Sequence, residues 1–268
     1  FVPADKILGI VGVGHVGSKA AAAARILGMK VLYNDPPRAE AEGQAGFTDL
    51  DDLLRKADII TLHVPLADTG RWPTAHMINK DVLAGMRPEQ ILINTSRGPV
   101  VDNQALQKTL LEHKLKAAVL DVWENEPQLD TKLLRLVTIG TPHIAGYSRD
   151  GKANGTRAAV RACSDFFHMH QVPLAHIKPQ APAEPDLTLE GRPGNEQHDF
   201  HKAVKHSYDI GYDYKTLLQR PAAFDRLRAD YYNRREFPAY TVNLKNDNKL
   251  LRKWLKKANF NLRGEKNG

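Results

Sequence analysis

Three observations predict an α/β fold, a doubly wound parallel sheet followed by a smaller α+β domain: short apolar runs alternate with helix-forming stretches, runs such as 91–93 and 118–120 are apolar throughout, and a glycine-rich turn joins the first run to the first helix. Ile91-Leu92-Ile93 and Ala118-Val119-Leu120 lack the alternation of a half-buried strand, as expected where helices cover both sheet faces. The 268 residues, 42% hydrophobic and 26% charged, suffice for two buried cores and exclude a disordered or coiled-coil chain.

The elements follow in order. Residues 7–11 are an apolar run bounded by glycine, and 18–27, with five consecutive alanines, form a helix that stops at Gly28. The pattern then predicts strand 30–34, helix 49–56, strand 58–64, helix 79–85, strand 90–94, helix 102–113, strand 116–122 and a short strand near 137–140. A long helix is expected over 150–170. Pro173, Pro179, Pro182 and Pro185 break regular structure, because each fixes φ and removes a donor, and mark a linker over 173–186. Beyond it the pattern predicts a strand at 187–189, helical stretches near 196–208 and 221–235, a strand at 239–244 and an amphipathic helix at 247–258. The expected division is a domain over 1–150, a helical segment over 151–172, the linker, and a second domain over 187–268.

Charge and cysteine usage narrow the partners. No run approaches the ~20 apolar residues of a membrane-spanning helix, and Phe1-Val-Pro-Ala-Asp-Lys6 has no basic leader pattern, so no membrane is expected. A single cysteine, Cys163, makes no intramolecular disulfide and fits a reducing compartment; the cytoplasm is the expectation. Most of the formal charge of +7 sits in residues 241–268, where eight Lys and Arg face only Asp247 and Glu265. Leu250, Leu251, Trp254, Leu255 and Ala258 make one apolar stripe on that helix, which reads as a packed helix with a solvated basic face and argues against nucleic acid.

Gly12-Val13-Gly14-His15-Val16-Gly17 fits the dinucleotide fingerprint G-x-G-x-x-G between a predicted strand and a predicted helix. Gly12 permits the turn, Gly14 lets the backbone approach a pyrophosphate, Gly17 lets the helix pack on the sheet, and the phosphates would meet the helix N-terminus. Asp35, 18 residues past Gly17, ends the second strand where an acid would bind the adenosine ribose diol and repel a 2′-phosphate. NAD is therefore favoured over NADP, although the nearby Arg38 weakens that preference. A purely structural glycine turn with a solvated Asp35 is the alternative; strand, helix and acid together favour a Rossmann-type dinucleotide site.

The reaction must come from other residues. Arg97, Glu126 and His143 follow successive predicted strands, at the edge where open α/β sheets place their ligands. An arginine fork can grip a carboxylate by two parallel hydrogen bonds. A histidine held by a carboxylate is the usual acid–base pair. A surface arginine and a capping histidine are the bland alternatives, weakened by their concurrence beside a dinucleotide site. His168 and His170, two apart on a helix, point to different faces, and His198, His201 and His206 read as a solvated helix face, so no metal is expected.

With Asn94-Thr-Ser-Arg97-Gly, Leu120-Asp121-Val-Trp-Glu-Asn-Glu126-Pro and His143-Ile-Ala-Gly-Tyr147 added to the fingerprint and Asp35, the chain resembles the D-2-hydroxyacid dehydrogenases. The resemblance implies that Arg97 binds the substrate carboxylate, His143 is the acid–base group and Glu126 pairs with it. It places NAD against Gly12, Gly14, His15, Val16, Gly17, Asp35, Val64, Thr95, Ser96, Arg97, Asp121 and Gly146, and the substrate against Arg97 and Tyr147. Threonine is expected where Val64 stands, which leaves only backbone to bond the cofactor there. Asn34-Asp-Pro-Pro-Arg38, the Trp123 loop and the additional C-terminal domain point to a branch that oxidises 4-phospho-D-erythronate to 3-hydroxy-2-oxo-4-phosphobutanoate in pyridoxine biosynthesis and dimerises through that domain. A dehydrogenase of another 2-hydroxy acid, such as phosphoglycerate, and a non-catalytic NAD-sensing module remain as alternatives. Family members carry about a hundred residues, comparable to one small domain, ahead of the fingerprint as half of a substrate lobe. The expectation is that helix 150–170 would return to that lobe, and that the chain as it stands binds NAD but turns over poorly.

Overall fold

The computed structural model describes residues 3–169, 174–231 and 234–264. It divides into two compact units, Phe1–Ala145 with Ile210–Ala229, and Gly146–Asp209 with Asp230–Gly268.

The first unit is built on a six-stranded parallel sheet ordered β2-β1-β3-β4-β5-β6, with β1 at Ile7–Val11, β2 at Lys30–Asn34, β3 at Ile59–Leu62, β4 at Ile91–Asn94, β5 at Ala117–Leu120 and β6 at Ile139–Gly140. The expected doubly wound architecture is present. Strand order reverses between β1 and β3, the point where such sheets open a ligand crevice. On one face α1 (His15–Ile26) buries Ala21 and Ala24 against Leu8, Ile10 and Val13. On the other, α3 (Leu50–Lys56), α4 (Lys80–Ala84) and α5 (Asn103–Leu111) contribute Leu53, Leu83 and Leu106 to a core with Ile60, Leu62, Leu92 and Leu120.

Two short helices escape the sequence pattern. In α2 (Pro36–Glu42), which the sequence pattern does not predict, two prolines occupy the first turn, where a missing N–H costs nothing, and Asp35 caps the Arg38 N–H. In α6 (Thr131–Leu136) Asp130 caps the Lys132 and Leu133 N–H groups. The expected helix over 221–235 is shorter and differently placed: α9 (Ile210–Gln219) and α10 (Phe224–Ala229) belong to the first unit. Leu217 and Phe224 are fully buried in its core, and the Tyr214 hydroxyl donates to the Val137 carbonyl at 2.7 Å. A segment late in the chain thus covers the β6 edge, which a linear division of the sequence does not anticipate.

The second unit has its own parallel sheet, β7 (Asp186–Leu189), β8 (Thr241–Leu244) and β9 (Asn261–Leu262), with α8 (Glu196–Ser207) and α11 (Lys249–Lys257) packed on it. Leu189, Ala203, Val242, Leu251, Leu255, Phe260 and Leu262 form its core. Leu251 and Leu255 carry the buried stripe of α11, whereas Leu250, expected in that stripe, is exposed. This unit also contains α7 (Arg149–Phe166), which buries none of its residues; Phe166 and Phe167 stand 76% and 67% exposed. Burial raises the Asp150 carboxyl, but two hydrogen bonds from Arg235 and one from the Glu236 N–H outweigh it and hold the group below its ordinary value. His206 is not merely solvated: its Nε2 lies 2.9 Å from the Glu184 carbonyl and its ring meets Tyr240 edge-on. Among the described residues no helix is long and apolar enough to cross a membrane. His170 and Pro173 lie outside the described residues.

Phe224→Ala should destabilise the first unit by about 3–5 kcal/mol, the usual cost of removing a buried aromatic. Denaturant unfolding followed by Trp123 fluorescence checks this; an unchanged midpoint would detach residues 210–229 from that core.

Candidate active site

Strand register sets the site. Asn34, Val11, Leu62, Asn94, Leu120 and Gly140 are neighbours across the sheet, so Asp35, Gly12, His63, Thr95, Asp121 and Thr141 leave one edge side by side. With strands ~4.8 Å apart, this row brings the separate sequence motifs together.

At the β1 end, Gly12 has φ +88°, and a Cβ on Gly17 would lie 2.1 Å from the Gly12 carbonyl oxygen, so turn and helix demand glycine at both positions. A Cβ on Gly14 meets nothing within 4 Å. The open space therefore lies over Gly14, where α1 begins. No side chain caps α1 and no acid stands in its first turn, which leaves the helix N-terminus to an external anion. His15 and Val16 occupy that first turn, both exposed. Asp35 Oδ2 accepts from the Val13 N–H at 2.8 Å and Oδ1 from the Arg38 N–H at 3.2 Å, each oxygen keeping a further lone pair.

These residues open onto a cleft of about 700 Å³ walled by Pro36, Phe47, Val64, Pro65 and Trp72. Volume, apolar walls and an acid beside an uncapped helix fit a dinucleotide. Val64 carries no hydroxyl, so only its backbone can bond a cofactor. His63 was not anticipated as a cleft residue. Its ring lies 3.1 Å from Thr61 Oγ1, and burial holds its imidazole below the ordinary histidine value. Nothing but its position after a buried strand signals this in the sequence.

Past β4, Asn94 Oδ1 accepts from the Ser96 N–H and hydroxyl, and Asn94 Nδ2 donates to the Arg97 carbonyl, which shapes the Thr95-Ser96-Arg97 turn. Arg97 is exposed and its Nη1 donates to the Ser96 carbonyl at 2.7 Å. The turn lies hard against the next one: a Cβ on Gly98 would sit 1.9 Å from the Trp123 carbonyl oxygen.

Past β5, the buried Asp121 carboxylate accepts from the Thr141 hydroxyl at 2.6 Å and from the Ile144 and Ala145 N–H groups at 2.8 and 2.9 Å, while its carbonyl accepts from the His143 N–H at 2.7 Å. Both oxygens therefore organise the His143 loop. Glu126 Oε1 accepts from the Trp123 N–H, and its Oε2 lies 2.8 Å from His143 Nδ1, so Arg97, Glu126 and His143 stand on adjoining turns. A second pair also escaped the sequence: His76 Nε2 lies 2.5 Å from Glu124 Oε1, and Glu124 Oε2 accepts from the Asn103 N–H at 2.9 Å. Gly146 and Tyr147 open the second unit, where Lys152 lies over the Tyr147 ring.

Residues 3–145 match the family model "D-isomer specific 2-hydroxyacid dehydrogenase, NAD binding domain", and residues 180–258 match one described as a domain of unknown function (DUF3410). The chain is 41% identical over 240 residues to erythronate-4-phosphate dehydrogenase of Bacteroides thetaiotaomicron, covering 90% of the chain and 66% of that relative. Against the Cronobacter sakazakii enzyme of the same name it is 41% identical, covering 97% of the chain and 69% of the relative. Among solved structures, D-lactate dehydrogenase of Aquifex aeolicus, complexed with NAD and lactic acid, is similar with a TM-score of 0.54 and 33% identity, over 63% of this chain and 55% of that one.

Two outcomes follow from the site. Asp121→Asn keeps the shape but turns an NH2 toward backbone donors, and should cost about 1–3 kcal/mol in denaturant unfolding, as for a buried hydrogen bond left unmade. For His63 the unfolded imidazole titrates near ~6.5 and the folded one lower, so its neutral form stabilises fully above that value, and the contribution is lost as pH falls through the folded value. His63→Gln should flatten the decline in stability from about pH 7 to 5, read from thermal unfolding against pH.

Proposed function

With the chain a member of the D-isomer-specific 2-hydroxyacid dehydrogenases, we propose that the protein carrying it oxidises 4-phospho-D-erythronate to 3-hydroxy-2-oxo-4-phosphobutanoate with NAD, a step toward pyridoxal phosphate. The observation that carries the reading is the His143–Glu126 pair, at 2.8 Å, on the sheet edge that also bears the glycine turn. The erythronate-4-phosphate dehydrogenase relatives support the choice of substrate.

NAD, when bound, supplies the hydride acceptor; Gly12, Gly14, Gly17, His15, Val16, Asp35 and the turns at Val64, Thr95 and Ser96 would hold it. The Glu126 contact fixes Nδ1 of His143 and leaves Nε2 to take the proton of the hydroxyl next to the carboxylate. Glu126 then stabilises the imidazolium. Arg97, with Nη1 on the Ser96 carbonyl, has its Nε and Nη2 edge left for the substrate carboxylate, which orients the carbinol hydrogen. Asp121 acts by holding the His143 loop. Gly146 and Tyr147, three and four residues past His143 in the chain, are assigned to cofactor and substrate by the family resemblance alone. The second unit forms a cytoplasmic homodimer through its own sheet and helices, a two-fold pair being the commonest oligomer.

In the whole protein, His143→Asn should lower kcat ~10²–10⁴-fold, the usual loss of an acid–base group, with NAD affinity unchanged by titration calorimetry. Near-unchanged turnover of 4-phospho-D-erythronate, followed by NADH absorbance, would remove His143 from this role.

A further inference from the structure

The turn that should select NAD also carries an arginine, and an arginine beside the adenosine ribose is what a 2′-phosphate would need. Arg38 stands three residues past Asp35, and its own N–H is bonded to the Asp35 carboxylate. Its guanidinium, however, is already engaged along both forked edges. Nε and Nη2 donate to Glu42 Oε1 and Oε2, each at 2.7 Å, and Nη1 donates to the Val13 carbonyl at 2.6 Å. The Phe47 ring lies 5.6 Å below it. Glu42 is one turn along α2, so the i,i+4 spacing delivers the carboxylate to the fork. Arg71, which lines the cleft directly, is likewise bonded to Glu40 of α2.

We infer that Glu42 is a specificity-determining residue of the cofactor cleft: by occupying the Arg38 fork it withholds the cation that would neutralise a 2′-phosphate, so the site takes NAD and refuses NADP. The inference rests on the reading of Gly12–Gly17 and Asp35 as the cofactor turn. A phosphate could recruit Arg38 only by breaking two charge-assisted bonds that a carboxylate of matched geometry already makes. Asp35 alone repels the phosphate; Glu42 adds to it by removing what would compensate. Because Arg38 also holds the Val13 carbonyl, the clamp supports the glycine turn without touching the dinucleotide.

The experiment compares NAD and NADP binding by titration calorimetry for the unmodified chain, Glu42→Gln, Arg38→Leu and the double variant, with thermal unfolding to confirm that each folds. Glu42→Gln should raise NADP affinity about five- to tenfold, the scale of one net hydrogen bond at a partly exposed site, and leave NAD affinity within about twofold. In the Arg38→Leu background the same substitution should give no gain. An equal gain there would mean that Glu42 acts by bare repulsion, and no gain in either background would mean that it does not govern the choice; both overturn the inference while leaving the cofactor turn in place. An unmodified chain that binds neither dinucleotide would overturn the reading of the turn and the inference with it.

Discussion

The buried carboxylate of Asp121 is the interaction on which the chemical end of this molecule depends. A loop that holds His143 at the sheet edge cannot also bury its backbone donors unpaired, because each would cost ~1–3 kcal/mol. Asp121 resolves the conflict from the end of the neighbouring strand: its two oxygens take the Ile144 and Ala145 N–H groups and the Thr141 hydroxyl, and its carbonyl takes the His143 N–H. His143 can then adopt φ +56°, a left-handed conformation uncommon for a residue with a Cβ, while its ring points to Glu126. The acid is thus a positioning residue, and its place beside the site follows from the in-register ends of β5 and β6.

The parts of this arrangement that were legible in the sequence are those with local signals. The strands announced themselves as uninterrupted apolar runs, the fingerprint by glycine spacing, and Arg97, Glu126 and His143 by their place after successive strands. What stayed hidden is non-local. Leu217 and Phe224 fall within the expected second domain over 187–268, yet they complete the core of the first unit, because apolar periodicity shows that a face is buried and not against what. Asp121 resembled a cofactor contact, and only the hydrogen bonds show its oxygens turned inward. The His76–Glu124 pair joins residues 48 apart and leaves no sequence pattern. The short α2 shows no apolar periodicity and so gives no such signal, although prolines in a first turn start a helix well.

The basic C-terminal stretch shows how composition is answered by packing. In α11, Leu251 and Leu255 are buried while Lys249, Lys253, Lys256 and Lys257 are exposed, so the excess charge lies on the solvent side of an ordinary amphipathic helix. Helix α7 is the opposite case. Its 18 residues bury nothing, and the edge-to-face pair Phe166–Phe167 stands in solvent. Ser148 caps it and the Asp150–Arg235 ion pair holds its first turn, while Lys152 and Arg157 donate to the Tyr231 and Ile177 carbonyls further along, so polar contacts rather than apolar burial tie it down.

The two ends of this sheet edge use one device for opposite purposes. At Asp121 a carboxylate consumes the amides of a loop so that a side chain is presented; at Asp35 a carboxylate takes the Val13 amide and, as the cap of α2, the Arg38 amide, and the N-terminal amides of α1 are left without a side-chain cap. In the same chain α2, α5, α6 and α7 each receive a side-chain cap from Asp or Ser, and α3 and α8, which lack one, carry acids in their first turn, whereas α1 has neither. A helix end left uncapped beside a glycine whose Cβ position is open gives up roughly the ~1 kcal/mol that a cap supplies. That sacrifice is recovered only when an anion arrives, which couples the stability of the β1–α1 turn to cofactor binding rather than to folding alone.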